Sequence, residues 1–346
     1  MTMTAIDGRL RADHRFDLVT ALLSGWFVVG LLLDGYAHAN LAELETFFTP
    51  WHAVFYSGFV VTAAWTVWPV LRRLRQGVPV RDAVPVGYGA TLVALPVFLL
   101  AGLGDMTWHL AFGVEQGLAI AFSPTHLLLA ASMAVIVTTP ARSGWATTVG
   151  APTRRQLPLL LGLTFGMVVV FLLMSYAEAT AWSPQQVVAA LSVPDDGSGD
   201  TFLARHYAMA VMVTTVALVA PLLMLARRGP VPAGAATLVF AAVALMGQTV
   251  AGFAAPAVWV VAVACGAAAD LLVRWWRPEP GRPLAVVAFA AAAAWLVWAA
   301  LIGYAVVTVG VPSAVEFWTG LPFVAAGVAA LLAVVTTAPT VSRGTR

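Results

Sequence analysis

The sequence predicts an all-α integral membrane protein, a helical bundle of about ten transmembrane spans, and three observations carry that prediction. Charged residues are 10% of the 346 and hydrophobic ones 61%, against about 25% charged in an ordinary soluble domain. Apolar stretches of roughly 20 residues, each long enough to cross about 30 Å of hydrocarbon, recur along the chain. All 18 basic residues are arginine, and they fall between those stretches in alternation.

In order, the stretches run over about 17–37, 51–71, 84–104, 123–140, 157–177, 204–226, 232–253, 255–273, 283–307 and 319–338. Basic residues are retained on the cytoplasmic side of a membrane. Arg9, Arg11 and Arg15 precede span 1, Arg72, Arg73, Arg75 and Arg81 separate spans 2 and 3, and Arg142, Arg154 and Arg155 separate spans 4 and 5. Arg227 and Arg228 follow span 6, Arg274, Arg277 and Arg282 follow span 8, and Arg343 and Arg346 close the chain, so that only Arg205 falls on the other side. The expectation is a multi-pass protein of the cell membrane with both termini cytoplasmic. It divides into a cytoplasmic N-terminus (1–16), a six-span half (17–226), a four-span half (227–338) that serves as scaffold or partner-binding surface, and a tail (339–346). The small residues of spans 7–10 allow close helix approach, as in a homo-oligomer or a complex with other membrane subunits.

Composition excludes several classes. A net charge of +2, with no arginine cluster on a nucleic-acid fold, does not indicate nucleic-acid binding. The single cysteine, Cys265, rules out an internal disulfide and a Cys-based metal site. Any metal must be held by histidine and carboxylate.

The stretch Asp34–Tyr56 places an acid and two histidines where span 1 leaves the membrane and span 2 enters it, and the stretch Asp105–His126 repeats the order. Asp34 and His38, like Asp105 and His109, are four apart and share a helix face. Thr49-Pro50 and Ser123-Pro124 suit the N-cap and first helical position, which puts His52 and His126 in a first turn. Asp34, His38 and His52, and again Asp105, His109 and His126, are therefore predicted to converge as two-imidazole, one-carboxylate ligand sets for zinc, copper or non-haem iron. Each triad holds one ion, or both feed one dinuclear centre. A lone interfacial histidine is ordinarily a hydrogen-bonding anchor, but anchoring does not demand the same residues at the same places twice. Spans 1–2 and 3–4 thus read as a parallel duplication of a hairpin.

A worn third copy follows, in which Glu178 ends span 5, Ser183-Pro184-Gln185-Gln186 replaces histidine by glutamine, and His206 opens span 6. Residues 185–193 suit a short interfacial helix, and Pro194–Asp200 an exposed loop. Glu178 and His206 are expected as an acid for proton transfer and an added ligand, or as partners holding a ligand imidazole by its other nitrogen. Glu43, Glu45 and Glu115 are reserve carboxylates, otherwise solvated loop acids. The aromatic residues around the motif, Phe47, Phe48, Trp51, Phe55, Tyr56, Trp108, Phe112 and Phe122, wall an apolar substrate site or form an interfacial belt.

At Asp105-Met106-Thr107-Trp108-His109 and Phe48-Thr49-Pro50-Trp51-His52, with Phe55-Tyr56, the sequence resembles the C subunit of the copper membrane monooxygenases, the particulate methane and ammonia monooxygenase family. The resemblance implies copper at Asp34, His38 and His52 and at Asp105, His109 and His126. The leading expectation is a copper or iron oxidoreductase of the monooxygenase type, acting on a small or lipophilic substrate at the outer membrane face. The alternatives are a membrane zinc hydrolase, with Glu178 shuttling the proton, and a non-enzymatic protein of metal transport, copper delivery or haem binding.

Overall fold

A computed structural model describes residues 4–6, 9–41, 48–115, 117–145, 147–192 and 201–337. The protein is all-α and polytopic. Among the described residues, nine helices are long and apolar enough to cross a membrane. They coincide with nine of the ten expected spans. The tenth, expected over 232–253, is the shorter helix Ala235–Val250, about 24 Å at 1.5 Å per residue. It is bounded by Gly234 (φ +83°), Gly252 (φ +63°) and Phe253 (φ +56°), conformations that cannot continue a helix.

The chain falls into two compact units. The first comprises residues 1–176 and 242–254, the second 177–241 and 255–346. The first begins with a two-stranded antiparallel ladder, β1 (Thr4–Ile6) and β2 (Arg9–Arg11), that the hydropathy pattern did not suggest. It continues through α1 (His14–Asn40), α2 (Pro50–Arg75), the one-turn α3 (Val80–Ala83), α4 (Gly89–Phe112), the one-turn α5 (Ala119–Phe122), α6 (Pro124–Val137), α7 (Thr139–Gly144) and α8 (Thr153–Leu172).

Local rules place the ends of these helices. Asp13 caps α1 by accepting from the Phe16 amide at 2.7 Å. Thr49 caps α2 by accepting from the His52 amide at 3.1 Å, with Pro50 in the first turn as expected. Arg72, Arg73 and Arg75 fill its last turn, where cations complement the helix dipole. Ser123 departs from expectation. It precedes α6 without a side-chain cap, because its hydroxyl bonds that of Thr125 at 2.9 Å instead.

Glycine sets how closely α1 and α2 cross. A Cβ at Gly30 would lie 2.6 Å from the Phe55 Cα, and one at Gly58 would lie 2.6 Å from the Phe27 Cα. The two backbones meet at reciprocal glycines, as small residues permit in membranes. Phe27, Phe55, Phe59 and Phe98 pack around this crossing with ring centroids 4.5–6.0 Å apart. Near the opposite end of α1, buried Asp17 accepts from the Tyr88 hydroxyl at 2.8 Å and the Ser143 hydroxyl at 2.9 Å. That tie fixes α1 against the chain leading into α4 and against α7, satisfying a carboxylate that would be costly to bury alone.

The second unit holds α9 (Pro184–Leu191), α10 (Phe202–Arg228), α12 (Pro256–Trp276), α13 (Pro283–Val309) and α14 (Val315–Thr337), while α11 (Ala235–Val250) is divided between the units. The interfacial helix expected at 185–193 is α9, opened by a reciprocal capping box of Ser183 and Gln186. Asp270 on α12 accepts from the amides of Ala236 and Thr237 and from the Thr237 hydroxyl, so it holds the start of α11. Trp298 is buried and donates to the Thr215 hydroxyl at 2.7 Å. The loop Pro194–Asp200 lies outside the described residues.

Candidate metal centre

Asp34 and His38 sit near the C-terminal end of α1, and His52 in the first turn of α2. Asp105 and His109 end α4, and His126 opens α6. Within each triad one nitrogen or oxygen per residue lies within 4.8 Å of the others.

The two copies repeat one detailed arrangement. Asp34 turns Oδ1 to His52 Nε2 at 3.3 Å and Oδ2 to His38 Nε2 at 3.9 Å. Asp105 turns Oδ1 to His126 Nε2 at 3.2 Å and Oδ2 to His109 Nε2 at 3.3 Å. Each carboxylate divides its oxygens between its two histidines. Charge-assisted hydrogen bonds are shorter, about 2.7–2.9 Å. Ligands about 2.0–2.1 Å from a tetrahedral ion stand about 3.4 Å apart along the tetrahedron edge, so three of the four separations suit shared coordination better.

The triads adjoin one another. The His38 ring lies 6.4 Å from that of His109 and 6.2 Å from that of His126, little farther than the 5.7–5.9 Å between ring neighbours within a triad. Asp34, His38, His52, Asp105 and His126 all line one chamber of ≈ 410 Å³. Its remaining wall is largely apolar, with Leu31 of α1, Leu129 and Met133 of α6, and Val169 and Leu172 of α8. The volume falls within the range of about 300–1,000 Å³ typical of small-molecule sites.

Further contacts orient the second triad. His109 Nδ1 faces Glu115 Oε2 at 3.2 Å. His126 Nδ1 donates to the Ile120 carbonyl at 2.9 Å, which turns Nε2 toward Asp105. Thr125 donates to Asp105 Oδ1 at 2.7 Å. Bonds from the far nitrogen of an imidazole to a carboxylate or carbonyl are what hold metal-ligating histidines in place. The local cause is Gly113, whose φ of +82° ends α4 one turn after His109 and turns the chain so that Glu115 comes back to the ring.

The donor set suits cations. Among the described residues, the ion-pair partners of Asp34 and Asp105 are histidines and not arginines. The carboxylates of Asp34, Asp105 and Glu115 are largely buried beside the four imidazoles, and burial penalises carboxylate charge heavily unless imidazolium protons or metal cations neutralise it. Two divalent ions would do so. His38 Nδ1 is buried without a hydrogen bond among the described residues.

Glu178 and His206 belong to the second unit and are members of neither triad. Glu178 caps a 3-10 turn, accepting from the Thr180 amide at 3.0 Å and the Thr180 hydroxyl at 2.7 Å. It is 1% exposed, and burial pushes its carboxyl up to about 7. The His206 ring stands edge-on to Trp182 with centroids 5.4 Å apart. Glu43, Glu45 and Phe47 lie outside the described residues. No protein family, no curated protein and no solved structure matches the chain.

Proposed function

We propose that this protein is an integral-membrane metalloprotein of the O₂-activating oxidoreductase class, holding two ions, one per triad, beside a chamber for a small lipophilic substrate. The observation that carries the reading is the juxtaposition of the two triads, bridged by His38, on the wall of one largely apolar cavity. Paired catalytic ions typically stand about 3.5–4 Å apart, a spacing that imidazoles 6.2–6.4 Å apart, one from each triad, accommodate.

Copper is the favoured metal, on the resemblance of the motif residues to the copper membrane monooxygenase subunit. Iron is the alternative, since two histidines and one carboxylate form a common non-haem iron site. Bound there, such a pair supplies the redox chemistry that amino-acid side chains lack. The chain's own residues do the rest. Asp34 and Asp105 set the ligand geometry, Glu115 and the Ile120 carbonyl orient His109 and His126, and the apolar wall excludes water and receives the substrate. The proposed location is the cell membrane, and the arginine distribution supports an orientation with both termini in the cytoplasm.

Elemental analysis of the purified protein tests this. The expected result is two copper or iron ions per chain, with one lost in His52→Ala and one in His126→Ala. Substoichiometric metal unaffected by either substitution overturns it. Bound zinc with O₂-independent turnover transfers the site to the hydrolases.

A further inference from the structure

We infer that the chamber is loaded sideways from the bilayer, by a hydrocarbon chain passing between α2 and α4 at His52 and Tyr56. The inference rests on the reading of the chamber as a substrate site. A second cavity, an open groove of ≈ 670 Å³, is lined by Pro50, Ala53, Leu99, Leu103 and Met106 among others, and it shares His52 and Tyr56 with the chamber. These two residues, four apart on α2, form the partition between groove and chamber.

The groove's surroundings identify its occupant. Leu99 and Leu103, one turn apart on α4, are 52% and 51% exposed, and both flanking helices are membrane spans. An exposed apolar face of a span meets acyl chains, not water. Apart from Thr49, His52 and Tyr56, the groove offers no polar side chain to an ion or a sugar among the described residues. What reaches the partition from this side is therefore a lipid acyl chain or a membrane-dissolved hydrocarbon.

Tyr56 is the side chain of the partition that closes against α4. Its hydroxyl lies 2.8 Å from where a Cβ on Gly102 would stand. The absence of a side chain at 102 gives the phenol its place against α4, and displacement of the Tyr56 side chain from that place would join the two cavities it lines.

The test uses the full chain in phospholipid nanodiscs, an aryl-diazirine hydrocarbon as photoreactive probe, and mass spectrometry to find the labelled residues. In the unaltered protein, label is expected at Leu129 and Met133, which line the chamber and are 7% and 1% exposed. Leu103→Trp and, independently, Ala53→Trp fill the groove at exposed positions that tolerate bulk. Each is expected to lower chamber labelling at least fivefold, with labelling of exposed Leu22 and the metal content unchanged. Absence of chamber label in the unaltered protein, or undiminished label in both variants, overturns the route. Chamber labelling that depends on the groove in protein devoid of metal supports the route and sinks the metal reading alone.

Discussion

Gly58→Ala separates the two triads by experiment. A Cβ at 58 would meet the Phe27 Cα at 2.6 Å and the Phe27 nitrogen at 2.9 Å, where ordinary contact begins at 3.4 Å. Both atoms are backbone, so α1 must retreat from α2 by about 1 Å, at a cost of about 1–3 kcal/mol in overpacking. Asp34 lies two turns along α1 from Phe27, and His52 lies on α2. Their 3.3 Å separation then widens to about 4.2 Å, the greatest distance two ligands of one ion can span at about 2.1 Å each. The second triad, on α4 and α6, does not cross this junction. Equilibrium dialysis followed by elemental analysis should find the first triad's affinity reduced at least tenfold and the second's unchanged, so that two ions per chain become one at limiting metal. Retention of both ions at unaltered affinity would refute the claim that the glycine crossing sets the first triad.

Two further outcomes are expected. Glu115→Gln keeps shape but removes the charge facing His109 Nδ1, and should lower metal affinity at the second triad about 10- to 100-fold with partial recovery in Glu115→Asp; isothermal titration with unchanged affinity in both variants excludes a positioning role. Glu178 binds a proton in the folded chain between its usual 4.5 and about 7, where the unfolded chain has released it, so stability falls as pH rises through that window, by on the order of 3 kcal/mol in all. Thermal unfolding in detergent at pH 5 and pH 8 should show this loss in the unaltered protein and its absence in Glu178→Gln.

Most of the architecture was legible because a bilayer permits so few solutions. Length and apolarity alone locate the nine long helices, and the shorter Ala235–Val250 was overextended only because hydropathy does not register the positive φ of Gly234 and Gly252. The triads were legible for a different reason. A four-residue spacing and a Thr-Pro start each fix a side chain's direction locally, and the same pattern occurs twice. What could not be read depends on partners distant in sequence. Nothing in the chain announces that His38 stands beside His109 and His126, that Gly30 and Gly58 face one another's helices, or that Asp17 finds Tyr88 and Ser143. Glu115 had a cue. A carboxylate two residues beyond a helix-ending glycine lies within reach of that helix's last turn, where His109 sits.

Among the described residues, the duplication is faithful in its ligands and differs in their support. His109 and His126 are each braced from behind, whereas His38 has one nitrogen idle among the described residues. A stiff cradle gives up little disorder when it fills, and a slack one gives up more. Filling should therefore be sequential, with the α4–α6 half occupied at metal concentrations that leave the α1–α2 half empty. A cell short of metal would then hold a population of half-charged molecules, and the slacker half would act as its gauge of supply.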